Sequence, residues 1–222
     1  CESIRRHRNG RHTREKNYRY ACEVFSKVPV KPGKKKRVGI TGEIYMKYSK
    51  LGNDDIESFL LRQGMEPYSG GFVNYCLYLV DTERYKAEKY QHNPIMVKAC
   101  AFVLHRLCEA QKHLLTVIGE TDRFQTDLPF PELKEKVQGI LAEGCNTGDG
   151  WLIAAEVIQY VEKGCGSVLI LHPFGCLVSH VCERGILQRL HARFPDVSIQ
   201  TIEYDYDQSK TLRESRILLG IS

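Results

Sequence analysis

The chain has 222 residues, 42% hydrophobic and 27% charged, which suits a globular protein of one large domain or two small ones. No apolar run approaches the roughly 20 residues needed to cross a bilayer, and no stretch reads as a signal peptide. The formal charge of +5 is uneven: residues 1–37 hold 13 Lys and Arg against 3 Asp and Glu, while the remainder holds 19 against 24.

A basic arm beside an acidic body could serve nucleic acid or an anionic partner. The arm carries no recognised nucleic-acid motif, so nucleic acid is not expected as a partner. Residues 1–35 are read instead as a basic helical lead-in and linker that packs on its own body or on an upstream domain. The chain opens on Cys1 rather than methionine, which suggests a piece of a longer polypeptide. Nine cysteines, an odd number in a chain of this size, fit a reduced cytoplasm better than a secreted disulfide scaffold. None is spaced C-x-x-C, so a zinc ribbon is not supported.

In chain order, Tyr18, Cys22 and Phe25 recur at helical spacing, and Pro29 and Pro32-Gly33 then break the pattern into a linker. Residues 36–45 read as a first strand and its exit turn, a common opening for a βαβ unit. No G-x-G-x-x-G is present, and NAD is not expected. Asn53-Asp54-Asp55 supplies cap chemistry for a helix through Ile56 and Leu61 that Gly64 stops. Residues 65–68 read as a second strand near an edge, because Pro67 donates no hydrogen bond. A helix follows Gly70-Gly71, with Phe72, Tyr75, Cys76 and Leu79 on one side. From about 83 to 142 the pattern is a helical insertion without strands. Met96, Cys100, Val103, Leu104, Leu107, Leu114 and Leu115 are expected to form a buried stripe within it, and 132–142 a further helix.

Gly144 to Trp151 is a glycine-rich loop feeding a helix through Leu152 and Val161, and its amides could cradle an anion. Ser167 to Leu171 reads as a buried strand, and His172-Pro173-Phe174-Gly175-Cys176 as its exit turn. A helix over 177–193 then places Leu177, Val181, Ile186, Leu187 and Leu190 on one face. Residues 197–204 alternate as a last strand, and 208–221 close the chain as a helix with Leu212, Ile217 and Leu218.

Four strands separated by helices predict an α/β fold of Rossmann-like or flavodoxin-like kind, a mostly parallel sheet over residues 36–222. In the order 2-1-3-4 the switch point falls between the first strand and the third, where ligands bind in such sheets. Glu43 and Tyr45 would then share a crevice with Cys176, whose thiol sits at a helix start that favours thiolate. A zinc site on Cys176, His180 and Cys182 is not expected. At roughly 100° per residue, Cys182 lies about 216° around the helix from Cys176. Cys165 and Cys182 are read as structural.

Three blocks carry a resemblance: Gly39-Ile40-Thr41-Gly42-Glu43-Ile44-Tyr45, Thr147-Gly148-Asp149-Gly150-Trp151 and Pro173-Phe174-Gly175-Cys176-Leu177. With Tyr204-Asp205, Ser209 and Arg216-Ile217 at matching spacing, residues 36–222 resemble the carboxyl end of the acyl-CoA dehydratase activase-related proteins. These are akin to components of 2-hydroxyglutaryl-CoA dehydratase and benzoyl-CoA reductase systems. The resemblance implies an iron–sulfur protein, with a 4Fe-4S cluster shared with an upstream domain of the same polypeptide. It also implies low-potential electron delivery by an ATP-hydrolysing activase partner, and a homodimer would be in keeping. Cys176, then Cys145, are the implied cluster ligands. Glu43, Tyr45, Thr147, Gly148 and Gly175 are the implied cofactor neighbours. Val178-Ser179-His180 departs from the family's Pro-Asn-His, and Tyr206-Asp207-Gln208 from its Pro-Gly-Ala, so a shared substrate is not implied. An alternative is a non-catalytic domain that docks an activase-type ATPase.

Overall fold

In the computed structural model, which describes residues 11–30 and 33–221, one sheet of four parallel strands is flanked by helices on both faces. Cys1, the first ten residues of the basic arm and Pro32 lie outside the described residues. The strands are β1 (Arg37–Gly42), β2 (Glu66–Ser69), β3 (Ser167–Pro173) and β4 (Ser198–Tyr204), in the order β2-β1-β3-β4. This is the α/β arrangement that the alternation of patterns predicts, and the strand order is the one for which the switch point falls between β1 and β3. The helices are α1 (Arg11–Ser26), α2 (Ile44–Tyr48), α3 (Ile56–Arg62), α4 (Phe72–Lys89), α5 (Pro94–Gly119), α6 (Phe130–Glu135), α7 (Gly150–Glu162), α8 (Arg184–Arg193) and α9 (Lys210–Ile221).

Strand alternation divides the core in two. Val38 and Ile40 of β1, with Leu169 and Leu171 of β3, pack against Ile56, Phe59 and Leu60 of α3 and Ile217 and Ile221 of α9. Val168 and Ile170 point the other way, against Ile153, Val157 and Ile158 of α7 and Ile186 and Leu190 of α8. Gly39 faces that second side because nothing larger fits: a Cβ there would stand 2.7 Å from Tyr160 Cδ2. The first six residues of β3 are buried, as a central parallel strand covered on both faces requires. Each such aliphatic side chain contributes roughly 1.5–3 kcal/mol by leaving water.

Local chemistry explains the element ends. Asn53, rather than Asp55, caps α3: Ile56 N–H donates to Asn53 Oδ1 at 3.4 Å, while Asp54 and Asp55 both take positive φ. Gly64, at φ +78°, ends that helix as expected. The basic α1 lies on α5, where Arg19 pairs with Glu120 and Glu15 reaches His113 at 3.4 Å.

Four expectations are corrected. None of the seven residues of the stripe on α5 is buried: Met96, Val103 and Leu107 are exposed, and Cys100, Leu104, Leu114 and Leu115 are half-buried, while Gln111 and Val117 are the buried residues of the helix. At about 1.5 Å per residue a helix of 26 residues is roughly 39 Å long, longer than the surface it lies on. Periodicity gave it an apolar face but not a neighbour, and Leu104 and Cys108 are where that face meets the core. The helix expected over 132–142 stops at Glu135, and 136–140 continue as turns. The helix expected over 177–193 contains a π turn, Ser179–Glu183, closed by Arg184 N–H on Ser179 C=O. The extra residue in that turn rotates Leu177 and Val181 out to solvent, while Ile186 and Leu190 stay buried. On α9, Leu212 is exposed and Arg213 takes a buried place beside Ile217 and Ile221, pairing with Asp54.

Candidate functional site

The switch point is built by a glycine. Gly42 ends β1 at φ +130°, and a Cβ there would stand 2.0 Å from the Leu171 carbonyl oxygen. That approach lets Glu43 N–H donate to Leu171 C=O at 2.8 Å, so the chain leaves β1 pressed against β3. Glu43 then caps α2, its Oε2 accepting from Met46 N–H at 3.0 Å. Beneath it, Lys47 is buried on the Glu156 carboxylate of α7, 2.7 and 2.8 Å to the two oxygens, and Thr41 Oγ1 donates to the same group at 2.5 Å. Burial opposes charge on Lys47, but the Glu156 carboxylate outweighs it and raises the ammonium pKa. This pair pins α2 to α7 directly under the crevice.

The second wall is the loop into α7. Asp149 Oδ2 accepts from Ile44 N–H at 3.2 Å, joining the two βα connections across the switch point. Burial, then the neighbouring Glu43, push the Asp149 pKa up to about 7. Glu183, in the π turn, is fully buried, and neither of its carboxyl oxygens has a hydrogen-bond partner. Burial moves it up to about 7 as well; the Ser179 hydroxyl opposes the shift, while Asp149 and Glu43 add to it. The crevice floor is therefore acidic. An anion cradle, the reading that the glycine-rich loop suggests, does not suit a helix start occupied by a carboxyl group with two more beside it.

The third wall is the turn after β3. Cys176 N–H donates to Pro173 C=O at 3.3 Å, with Gly175 at φ +72°, the backbone of a type II turn. The Cys176 thiol is half-buried and accepts from Ser179 Oγ at 3.2 Å. Its carbonyl is 2.8 Å from His180 Nδ1, and the His180 ring stands edge-on to that of buried His172, centroids 5.6 Å apart. Burial lowers the His172 pKa, so its imidazole is neutral at pH 7. Around the thiol, Phe174, Leu177 and Val181 are 67%, 76% and 62% exposed, an apolar rim on the open side of the turn.

The expected neighbours separate on inspection. Glu43 borders the crevice as anticipated, while Tyr45 is exposed with its ring over Gly52. Thr147, Gly148 and Gly175 are exposed, and Gly148 lies against Val178, where a Cβ would stand 2.9 Å from Cγ2. Cys145 is half-buried in the loop that leads into α7. Among the described residues no group of three or more His, Cys, Asp and Glu is placed to hold a metal ion. The described residues alone do not fit an iron–sulfur cluster, which usually takes four ligands.

Sequence reading missed Lys47, Glu156 and Glu183 as parts of this region. Each is a charged residue at a position that a helix buries, and that mismatch was the available signal. Neither a family model, a curated protein nor a solved structure matches this chain.

Proposed function

We propose that this chain forms one wall of a composite site, with the 172–177 turn as its working edge. Cys176 is read as the single thiol it offers to an iron–sulfur cluster whose other ligands come from an upstream domain of the same polypeptide. The observation that carries this reading is the apolar rim of Phe174, Leu177 and Val181 around a reachable thiol at the sheet's switch point. A thiol meant only for packing would be enclosed, as Cys165 is. The likeness to components of 2-hydroxyacyl-CoA dehydratases and related reductases supplies the chemistry: when bound, such a cluster relays a low-potential electron from an ATP-hydrolysing activase. The chain's own part is to hold Cys176 on a rigid turn, with Ser179 as hydrogen-bond donor to its sulfur. A cytoplasmic, reduced setting belongs to the same reading.

Anaerobic iron and sulfide analysis of a longer polypeptide that includes the proposed upstream domain, beside the 222-residue chain, tests it. Iron and sulfide in the longer polypeptide, little in the 222-residue chain, and loss in the longer Cys176→Ser variant are expected. Undiminished iron in that variant would sink the role of Cys176. A second reading, a non-catalytic domain that docks the ATPase, is favoured by the same rim. Low iron together with tight ATPase binding, weakened by Leu177→Asp, would select it. A salt-sensitive shift with unrelated DNA, lost on removing residues 1–37, would instead revive nucleic acid as a partner.

A further inference from the structure

The basic α1 and the second half of α5 enclose a trench whose two ends differ in chemistry. Glu15 stands beside His113 and Arg19 beside Glu120, so the two helices run in the same direction. Arg123 donates to Val28 C=O and ties the chain just past α1 to the same surface. Arg14, Tyr18, Cys22 and Phe25 recur every three or four residues and so share one face of α1. Where that face begins, Arg14 and Tyr18 meet His105, Arg106, Glu109 and His113 around a cavity of about 250 Å³. Among the described residues no acidic side chain pairs with Arg14 or Arg106. Further along, Ala21, Cys22 and Phe25 meet Leu114, Ile118 and Phe124 around a cavity of about 330 Å³, lined almost wholly by apolar groups. Tyr18 lines both cavities and joins them. Leu114 and Ile118 also border a third cavity, of about 240 Å³, that reaches Val73 and Leu115.

We propose that this trench binds a free fatty carboxylate, its head between Arg14 and Arg106 and its tail along Cys22, Phe25, Leu114 and Ile118. Charge selects the occupant at one end. Counting the imidazoles as neutral, the Arg14 and Arg106 guanidinium groups against the Glu109 carboxylate leave one positive charge, which suits a monoanion better than a phosphate dianion. A guanidinium fork also matches the two oxygens of a carboxylate. Apolar surface selects at the other end, where Phe25 is 64% exposed and a tail laid on it takes both out of water. From Arg14 to Phe25 the face spans roughly 16 Å at about 1.5 Å of rise per residue, the scale of an acyl chain rather than of a compact metabolite. The tail lies in a groove between two helices, a shape for one free chain and not for a flat bilayer surface.

This site shares no residue with the crevice around Cys176, so it stands or falls apart from the function proposed above. The test is isothermal titration of the 222-residue chain with decanoate and dodecanoate below their micelle concentrations. Decanol, decyltrimethylammonium, decyl phosphate and anionic phospholipid vesicles are titrated beside them. One-to-one binding of decanoate is expected, with dodecanoate roughly four- to sixteenfold tighter for its two extra methylenes. Arg14→Gln with Arg106→Gln should weaken decanoate by roughly tenfold and leave decanol unchanged. Ala21→Phe, which fills the apolar end, should weaken both. In the unaltered chain, decanoate should slow alkylation of the half-buried Cys22 and not of Cys176, read by peptide mapping. Equal affinity for decyltrimethylammonium, tighter binding of decyl phosphate, or vesicle binding without binding of the monomer would overturn the proposal. So would an unshielded Cys22 in a chain that binds decanoate. The alkylation pattern of the unaltered chain decides the matter even if a variant fails to fold.

Discussion

The sheet edge between β1 and β3 and the long helix α5 both start from strong apolar patterns, and they meet different fates. At the sheet edge several polar groups that go inside have a close neighbour of definite chemistry, Lys47 on Glu156, Thr41 on the same carboxylate and Asp149 on Ile44 N–H, while the two Glu183 oxygens have none. On α5 the pattern is only partly covered: Leu104 and Cys108 meet the core, while Ile95, Met96 and Phe102 stand in solvent. A pattern in sequence states what a segment can bury; the geometry of the rest of the chain decides whether it does. The edge is where change should be costly, and the first half of α5 is where it should be nearly free.

Four substitutions grade that contrast, read by urea unfolding through the single tryptophan, Trp151, which is buried in the core against α4 and α6. The largest loss is expected from Gly42→Ala, about 4 kcal/mol, because the new methyl meets the Leu171 backbone at a φ that alanine disfavours. Gly139→Ala, also at positive φ but with nothing within 4 Å, is its control and should cost about 1 kcal/mol. Equal losses at the two glycines would show that the close approach of β1 and β3 is not what the switch point depends on.

Next comes Lys47→Met, at about 3 kcal/mol, since it leaves the Glu156 carboxylate buried without its counter-charge. A double variant, Lys47→Met with Glu156→Leu, should recover much of that loss. Failure to recover would assign the cost to shape rather than charge.

Glu183→Gln should act in the opposite direction and depend on pH. The ordinary values of Asp149 and Glu183 are 3.8 and 4.5, and both stand at about 7 in the fold. Between those limits the folded state binds more protons than the unfolded one, so stability falls as pH rises from about 4 to about 7. A neutral amide at 183 removes part of that fall. Stability should rise by about 1–3 kcal/mol at pH 8 and change little at pH 4. A gain of the same size at both pH values would mean that charge is not the cause.

The smallest effect belongs to Phe102→Ser, within about 0.5 kcal/mol, because the ring is already in water. A loss above about 2 kcal/mol, or a change in sedimentation coefficient, would mean that this face is covered in solution.

Much of the fold was legible from residues alone. Ser167 to Leu171 could only be a buried strand, an apolar, β-favouring run bounded by Gly166 and Pro173, and it is the centre of the sheet. Gly64 and the Asn53 region mark the ends of α3 where local backbone chemistry says they should. Strand order was not fixed in this way: right-handed crossovers narrow the arrangements of four parallel strands without selecting one. The site was legible in part. Glu43 and Cys176 were placed at one edge because each follows a strand of adjacent rank, and the ends of parallel strands share an edge.

What sequence could not supply were meetings between residues remote in the chain. Glu183 and Cys182 sit in a stretch that reads as ordinary helix, and a single π turn sets which way each one faces. That turn leaves Glu183 buried near Asp149, with Leu177 and Val181 turned to solvent. Local sequence by itself determined the strands, the caps and the turn that holds Cys176, because those depend on neighbours a few residues away. Only the tertiary structure decided which charges are buried, which thiols are enclosed and which apolar faces stay open. Those outcomes depend on distances between segments that no local pattern encodes.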